Sequence, residues 1–254
     1  MPRSKARPLG PFFQPVVDLS SSLVIGFEAL TRFDDGGRPD LTFATAIECG
    51  MGIKLEKVTL EAAIRESAVL PSGAWLSLNV SPAMLAEVEI LQHVLRRTTR
   101  SIVLEITEHE AIGSYAACRE AVASLGPNVR LAVDDAGAGI ANFSHLVELR
   151  PQFVKIDAGL VRGVDTDAGR AAVVVGLTHF AAAAGCRVIA EGIETEAERE
   201  VLAGLGAELG QGYLLGRPAA AETWRSAPCR REGAQTTSGR GRRLRIATVP
   251  HPSG

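Results

Sequence analysis

The 254-residue sequence predicts an α/β fold, a TIM-like (β/α)₈ barrel with an irregular first hairpin that contributes one antiparallel strand. Three observations predict it. Short apolar, β-branched runs alternate with longer Ala- and Leu-rich stretches of helical spacing, the pattern of repeated βα units around a mostly parallel sheet. Only Ser20, Ser21 and Ser22 separate the first two runs, too few residues for a parallel crossover, so these two runs form an antiparallel hairpin. Finally, most runs end on a polar residue, and a barrel would gather such residues on one rim.

The elements follow in order. Runs 12–19 and 23–30 make the hairpin, and helical spacing over 42–49 and 55–70 leads to a strand at 75–80. Pro82 after Ser81 starts a helix over 82–97, because proline at the first helical position sacrifices no hydrogen bond. Strands at 102–107, 130–134, 153–156, 187–190 and 209–213 then alternate with helices at 114–125, 142–149, 168–184 and 196–205.

A hydrophobic fraction of 46% and a charged fraction of 22% are those of a globular domain with ample core. The net charge of −2 conceals a division: residues 1–10 carry +3, residues 225–254 carry +6, and the body between them −11. The domain is therefore expected over 11–225, with a basic extension at 1–10 and a disordered Arg-rich tail at 226–254, where periodicity stops. Four scattered cysteines form no CxxC pair, which argues against zinc and disulfides. No apolar run is long enough to cross a bilayer, and the first ten residues lack a signal-peptide core, so a cytoplasmic protein without a transmembrane segment is expected. Clustered arginines at 240–245 could meet phosphates, but no signature of specific binding to a nucleic-acid polymer accompanies them. The five histidines show no HxH or HxxxH spacing and carry no catalytic assignment.

The informative residues interrupt or close the strands: Glu28, Asn79, Glu105, Asp134 with Asp135, Lys155, Glu191 and Gln211. A single carboxylate at a strand end is ordinarily an exposed loop residue or a helix cap. The series is different, since the C-terminal ends of barrel strands converge around one cavity. Carboxylates crowded there cost several kcal/mol each unless a proton or cation neutralises them. All the donors are hard oxygens, which points to Mg²⁺ or Mn²⁺ and away from Zn²⁺ or copper. Adjacent Asp134 and Asp135 would let one carboxylate bridge two cations, as two-metal phosphoester chemistry requires.

The blocks FQPVVDL, GFEALTR, LSLNVSP, LEITE, DDAGAG, FVKID, VIAEGIET and QGYLLGRP stand in one order over 11–218. With them the chain resembles the EAL-domain family of bacterial cyclic di-GMP phosphodiesterases. The resemblance implies metal-dependent hydrolysis of the second messenger cyclic di-GMP to linear 5′-pGpG, with two Mg²⁺ or Mn²⁺ ions and a homodimer. Position by position it implies Glu28, Asn79, Glu105 and Asp134 as ligands of a first metal, and Asp134 and Asp135 as ligands of a second. Glu191 would complete the site, and Lys155 would orient or activate the attacking water. Gln14, Arg32, Gln211 and Tyr213 would contact the dinucleotide, and Glu108 would anchor the loop after Asp135. That loop departs from the family: DDAGAGIAN stands where DDFGTGYSS is usual, so an aromatic anchor and hydroxyls are lost while Gly137 and Gly139 remain. The departure motivates an alternative, a catalytically weak EAL domain acting as a cyclic di-GMP receptor or protein-interaction module.

Overall fold

The computed structural model describes residues 10–33, 36–107, 112–137 and 143–230. Eight strands close a barrel in sequence order: β1 (Phe12–Asp18), β2 (Val24–Leu30), β3 (Trp75–Asn79), β4 (Ile102–Thr107), β5 (Val129–Ala136), β6 (Phe153–Ile156), β7 (Arg187–Ala190) and β8 (Leu209–Gly210). As the hairpin predicts, β1 runs antiparallel to both β2 and β8, and the other neighbours are parallel.

Around the strands lie α1 (Pro39–Glu48), α2 (Gly52–Glu66), α3 (Pro82–Ala86), α4 (Val88–Leu95), α5 (Tyr115–Ser124), α6 (Phe143–Leu149), α7 (Ala158–Val161), α8 (Ala168–Ala184) and α9 (Glu196–Gly204). Local chemistry sets their ends. Ser81 caps α3 by accepting from Met84 N, with Pro82 in the first turn. Asp167 caps α8 through Gly169 N and Arg170 N, and Gly185 at φ +75° ends it in the left-handed turn that glycine adopts at least cost. Thr195 and Glu198 form a reciprocal capping box on α9.

The helix predicted over 82–97 is two helices, because Glu87 at φ −86° and ψ +58° leaves the helical region. The kink lets Met84 and Leu85 on one side and Leu91, Val94 and Leu95 on the other all reach the core. Helix α7 is absent from the sequence reading, being four residues long. Strand pairing at 209–213 stops at Gly210. Beyond Trp224 the chain continues against the barrel: Arg230 N donates to Val24 O at 2.9 Å, and Arg230 Nη1 lies 3.7 Å from Asp18 Oδ2.

Two apolar layers result. The larger fills the space between strands and helices. The smaller takes one residue from each strand, Val16, Ile25, Trp75, Val103, Ala132, Phe153, Ile189 and Leu209, all nearly inaccessible. Ile25 joins it through a bulge: β1 steps from Val16 to Val17 while β2 steps from Gly26 to Val24, so Ile25 is the extra residue. Trp75 and Phe153, with ring centroids 5.5 Å apart, fill the middle of this floor. Gly26 is required beneath them, since a Cβ there would lie 2.3 Å from the Trp75 ring.

Candidate functional site

One step above the apolar floor the inward residues turn polar. The offset is two residues toward the C-terminus in the parallel strands: Trp75 to Ser77, Val103 to Glu105, Ala132 to Asp134, Phe153 to Lys155, Ile189 to Glu191 and Leu209 to Gln211. In antiparallel β1 the step reverses, from Val16 to Gln14. Strand alternation thus stacks a charged layer on an apolar one.

Lys155 is 1% exposed and stands at the centre of this layer. Its Nζ lies 2.7 Å from Glu191, 2.9 Å from Glu105, 3.2 Å from Asp134 and 3.5 Å from Glu28. Burial pulls the ammonium down, but the surrounding carboxylates, Glu105 foremost, outweigh it and hold its pKa well above the ordinary value. One ammonium cannot offset four carboxylates. Burial, with the charges of Glu28 and Asp134 added, pushes Glu105 well above the usual carboxylate range. Burial likewise lifts Glu191 to about 8, against the pull of Lys155. Glu28 differs: burial raises it, yet Lys155 and hydrogen bonds from Gln211 and Asn79 bring it below its ordinary value.

The remaining contacts tie the layer together. Gln211 Nε2 donates to Glu28 Oε2 at 2.7 Å and to Gln14 Oε1 at 3.0 Å. Asn79 Nδ2 donates to Glu28 Oε1 at 3.1 Å, and the buried Ser77 hydroxyl donates to Glu105. Gln14 Nε2 donates to Gly216 O at 3.0 Å.

Neighbouring aspartates in a regular strand would face opposite ways. Here β5 advances from Val133 to Ala136 while β6 advances only from Val154 to Ile156, and Asp135 takes φ +58°. The resulting irregularity turns Asp135 toward the same end as Asp134, in a left-handed conformation that aspartate tolerates better than most residues. Two carboxylate trios follow. Oxygens of Glu28, Glu105 and Asp134 lie within 4.8 Å of one another, as do those of Asp134, Asp135 and Glu191. Asp134 belongs to both, and the donor set of hard carboxylate oxygens suits a divalent cation of the Mg²⁺, Mn²⁺ or Ca²⁺ kind.

A cavity of about 280 Å³ opens over this layer, bordered by Gln14, Glu28, Asp134, Lys155, Glu191, Gln211 and Tyr213. Tyr213 is half exposed, with the Arg217 guanidinium 4.1 Å from its ring centroid. Arg162 and Glu194, paired at 2.8 Å, also line the mouth. Neither stands out in the sequence: Arg162 follows α7, and only Glu194, three residues after Glu191 in the loop before α9, carries a signal by its nearness to a site residue. Arg32 is not among the lining residues: it is exposed, its guanidinium 5.9 Å from the Phe12 ring centroid. Glu108 lies outside the described residues, as do positions 138–142 of the altered loop.

A closed α/β barrel that crowds carboxylates around one lysine at a single mouth defines a class, the barrel proteins equipped to hold divalent cations. Within that class the chain belongs to the EAL domain family, whose model matches residues 3–218. Over 204 residues the chain is 30% identical to the probable cyclic di-GMP phosphodiesterase PdeA of Escherichia coli, covering 75% of this chain and 28% of that protein. Over 231 residues it is 29% identical to the bifunctional diguanylate cyclase/cyclic di-GMP phosphodiesterase MucR of Pseudomonas aeruginosa, covering 83% of this chain and 33% of MucR. Among solved structures, the calcium/cyclic di-GMP complex of Klebsiella pneumoniae BlrP1 has a TM-score of 0.76 at 30% identity, covering 85% of this chain and 57% of that one. The chain thus spans about a third of the length of the curated relatives it matches. Among the described residues no helix is long and apolar enough to cross a membrane.

Proposed function

We propose that the chain hydrolyses one phosphodiester bond of cyclic di-GMP, releasing linear 5′-pGpG. The observation that carries this reading is the pair of carboxylate trios sharing Asp134, with Lys155 held among them. Glu28, Asn79, Glu105 and Asp134 would hold one Mg²⁺ or Mn²⁺, Asp134 and Asp135 a second, and Glu191 would complete the set. Bound there, such cations would acidify water and offset charge on the phosphoryl and leaving oxygens.

The chain's own groups supply position. Lys155 Nζ shares its three N–H donors among four carboxylates, and it would orient the attacking water with a donor freed when bound cations took over some of those carboxylates. Gln211 braces Glu28, Gln14 in turn accepts from Gln211, and both border the cavity where the dinucleotide would lie. Tyr213, backed by Arg217, offers a flat face to a guanine, and Arg32 a planar fork to a phosphate near the rim. Attack in line with the P–O3′ bond breaks that bond, and the leaving oxygen takes up a proton. A homodimer working in the cytoplasm belongs to the same proposal, and light scattering of the purified chain checks the dimer.

Chromatography of cyclic di-GMP incubated with the protein tests the activity. Conversion to pGpG with Mg²⁺ or Mn²⁺ is expected, falling at least a hundredfold in excess chelator and in Glu28→Ala. Undiminished turnover in either sinks the reading. Tight binding of cyclic di-GMP with no pGpG after long incubation in Mn²⁺ would replace the enzyme with a receptor.

A further inference from the structure

Ser77 carries the hydroxyl of the polar layer. It is wholly buried on β3, stands opposite Glu28 in the β2–β3 register and faces the barrel interior one step above Trp75. Its hydroxyl donates to Glu105 Oε1, and the other acceptor within reach, Val103 O, is 3.5 Å away, too far to compete for the single proton. The second oxygen of the same carboxylate, Oε2, accepts instead from Lys155 Nζ at 2.9 Å.

The two oxygens of Glu105 therefore have different neighbours. Lys155 Nζ is also 3.2 Å from Asp134 Oδ1 and 3.5 Å from Glu28 Oε2, so Oε2 belongs to the point on which the three carboxylates of the first trio converge. Oε1 is turned aside to β3. A divalent cation at that point would repel the ammonium and displace it from Oε2. It would not repel a neutral hydroxyl, which would keep its hold on Oε1.

We infer that Ser77 is a positioning residue that holds Glu105 to one oxygen in the first cation site, and so biases that site toward a small octahedral cation. The inference rests on the cation-binding reading proposed above. Mg²⁺ demands near-ideal octahedral geometry, and both oxygens of one carboxylate subtend too small an angle at the metal for a regular octahedron. Ca²⁺ accepts both oxygens and a higher coordination number. Without the Ser77 hydroxyl, Glu105 is free to offer both.

Calorimetric titration of the whole chain with Mg²⁺ and with Ca²⁺, without nucleotide, tests it. In Ser77→Ala, Mg²⁺ affinity should fall about tenfold or more, the loss expected when the partner of a metal-binding side chain is removed, while Ca²⁺ affinity falls less than about threefold or rises. Ser77→Thr keeps the hydroxyl and should keep the wild-type ratio of the two affinities. Ser77→Cys, close to serine in size and a weak donor, should move the ratio partway, and it supplies the same reading if the alanine variant does not fold. A serine with a purely structural role would lower both affinities together, or neither. An unchanged ratio in Ser77→Ala or Ser77→Cys, or an alanine-like ratio in Ser77→Thr, would overturn the inference while wild-type Mg²⁺ binding leaves the cation site standing. No binding of either cation by the wild type would overturn both.

Discussion

Replacing Lys155 by methionine keeps an unbranched side chain of similar length and removes the one ammonium among four carboxylates. Stripping one partner from a buried ion cluster costs about 3–5 kcal/mol, because the remaining charges stay uncompensated. A domain of this size loses roughly 2–4 °C of melting temperature per kcal/mol, so Lys155→Met should melt about 6–20 °C below the wild type in EDTA at pH 8. The pH dependence has a definite sign. Glu105 and Glu191 already have folded-state pKa values above their ordinary ones, so the folded chain holds more protons than the unfolded chain in the interval between. Stability from these groups therefore falls as pH rises from about 4.5 toward 8, and removing the ammonium steepens that fall. The deficit of Lys155→Met should be smaller at pH 5 than at pH 8, and millimolar Mn²⁺ should recover part of it at pH 8. Circular dichroism melts of both proteins with and without metal decide the matter. A deficit under about 2 °C in EDTA, or one equal at pH 5 and pH 8, would refute this account of the cluster.

Other outcomes follow from particular contacts. Gly212→Ala would put a Cβ 2.2 Å from the backbone of Ile193, which cannot rotate aside; we expect a loss of about 3 kcal/mol in denaturant unfolding, with weakened substrate binding at the adjoining Gln211 and Tyr213. Trp75→Ala empties the middle of the barrel floor and should cost about 3–5 kcal/mol by the same measurement. Glu198 accepts from Gly163 N at 2.9 Å, Glu194 N at 2.9 Å and Thr195 N at 3.0 Å, so Glu198→Gln should cost about 2 kcal/mol at pH 7. Burial raises the Glu198 pKa but those backbone hydrogen bonds lower it further, so its stabilisation is present above pH 4.5 and the gap between wild type and variant should close as pH falls below that value.

Much of this architecture is legible in the sequence because strands report inward residues at every second position. Trp75 and Ser77, Phe153 and Lys155, and Val103 and Glu105 each record the change from apolar floor to polar layer. What remained hidden depends on departures from that period. Asp134 and Asp135 are legible as an adjacent pair, but the means that joins them is not: β5 is irregular there and φ turns positive, and no composition rule announces such a break. Glu87 sits in Ala-Glu-Val-Glu, all compatible with helix, and it ends α3 because the apolar residues on either side must reach the core from two directions. Arg162 reaches the mouth from the end of α7 and Glu194 from the loop before α9, placements that are a tertiary outcome. The segment around Arg230 reads as an unstructured tail by composition, yet its backbone finds an acceptor on the hairpin.

The ring of Val16, Ile25, Trp75, Val103, Ala132, Phe153, Ile189 and Leu209 makes the barrel a vessel with one neck. Everything the proposed reaction consumes or releases must use that opening, so traffic has an order. If the proposed function holds, cations would have to arrive before the dinucleotide, because a substrate across the mouth would stand over them like a stopper. Exchange of those ions should then be slow while a nucleotide is in place and fast once it leaves, so metal turnover becomes a clock for nucleotide occupancy.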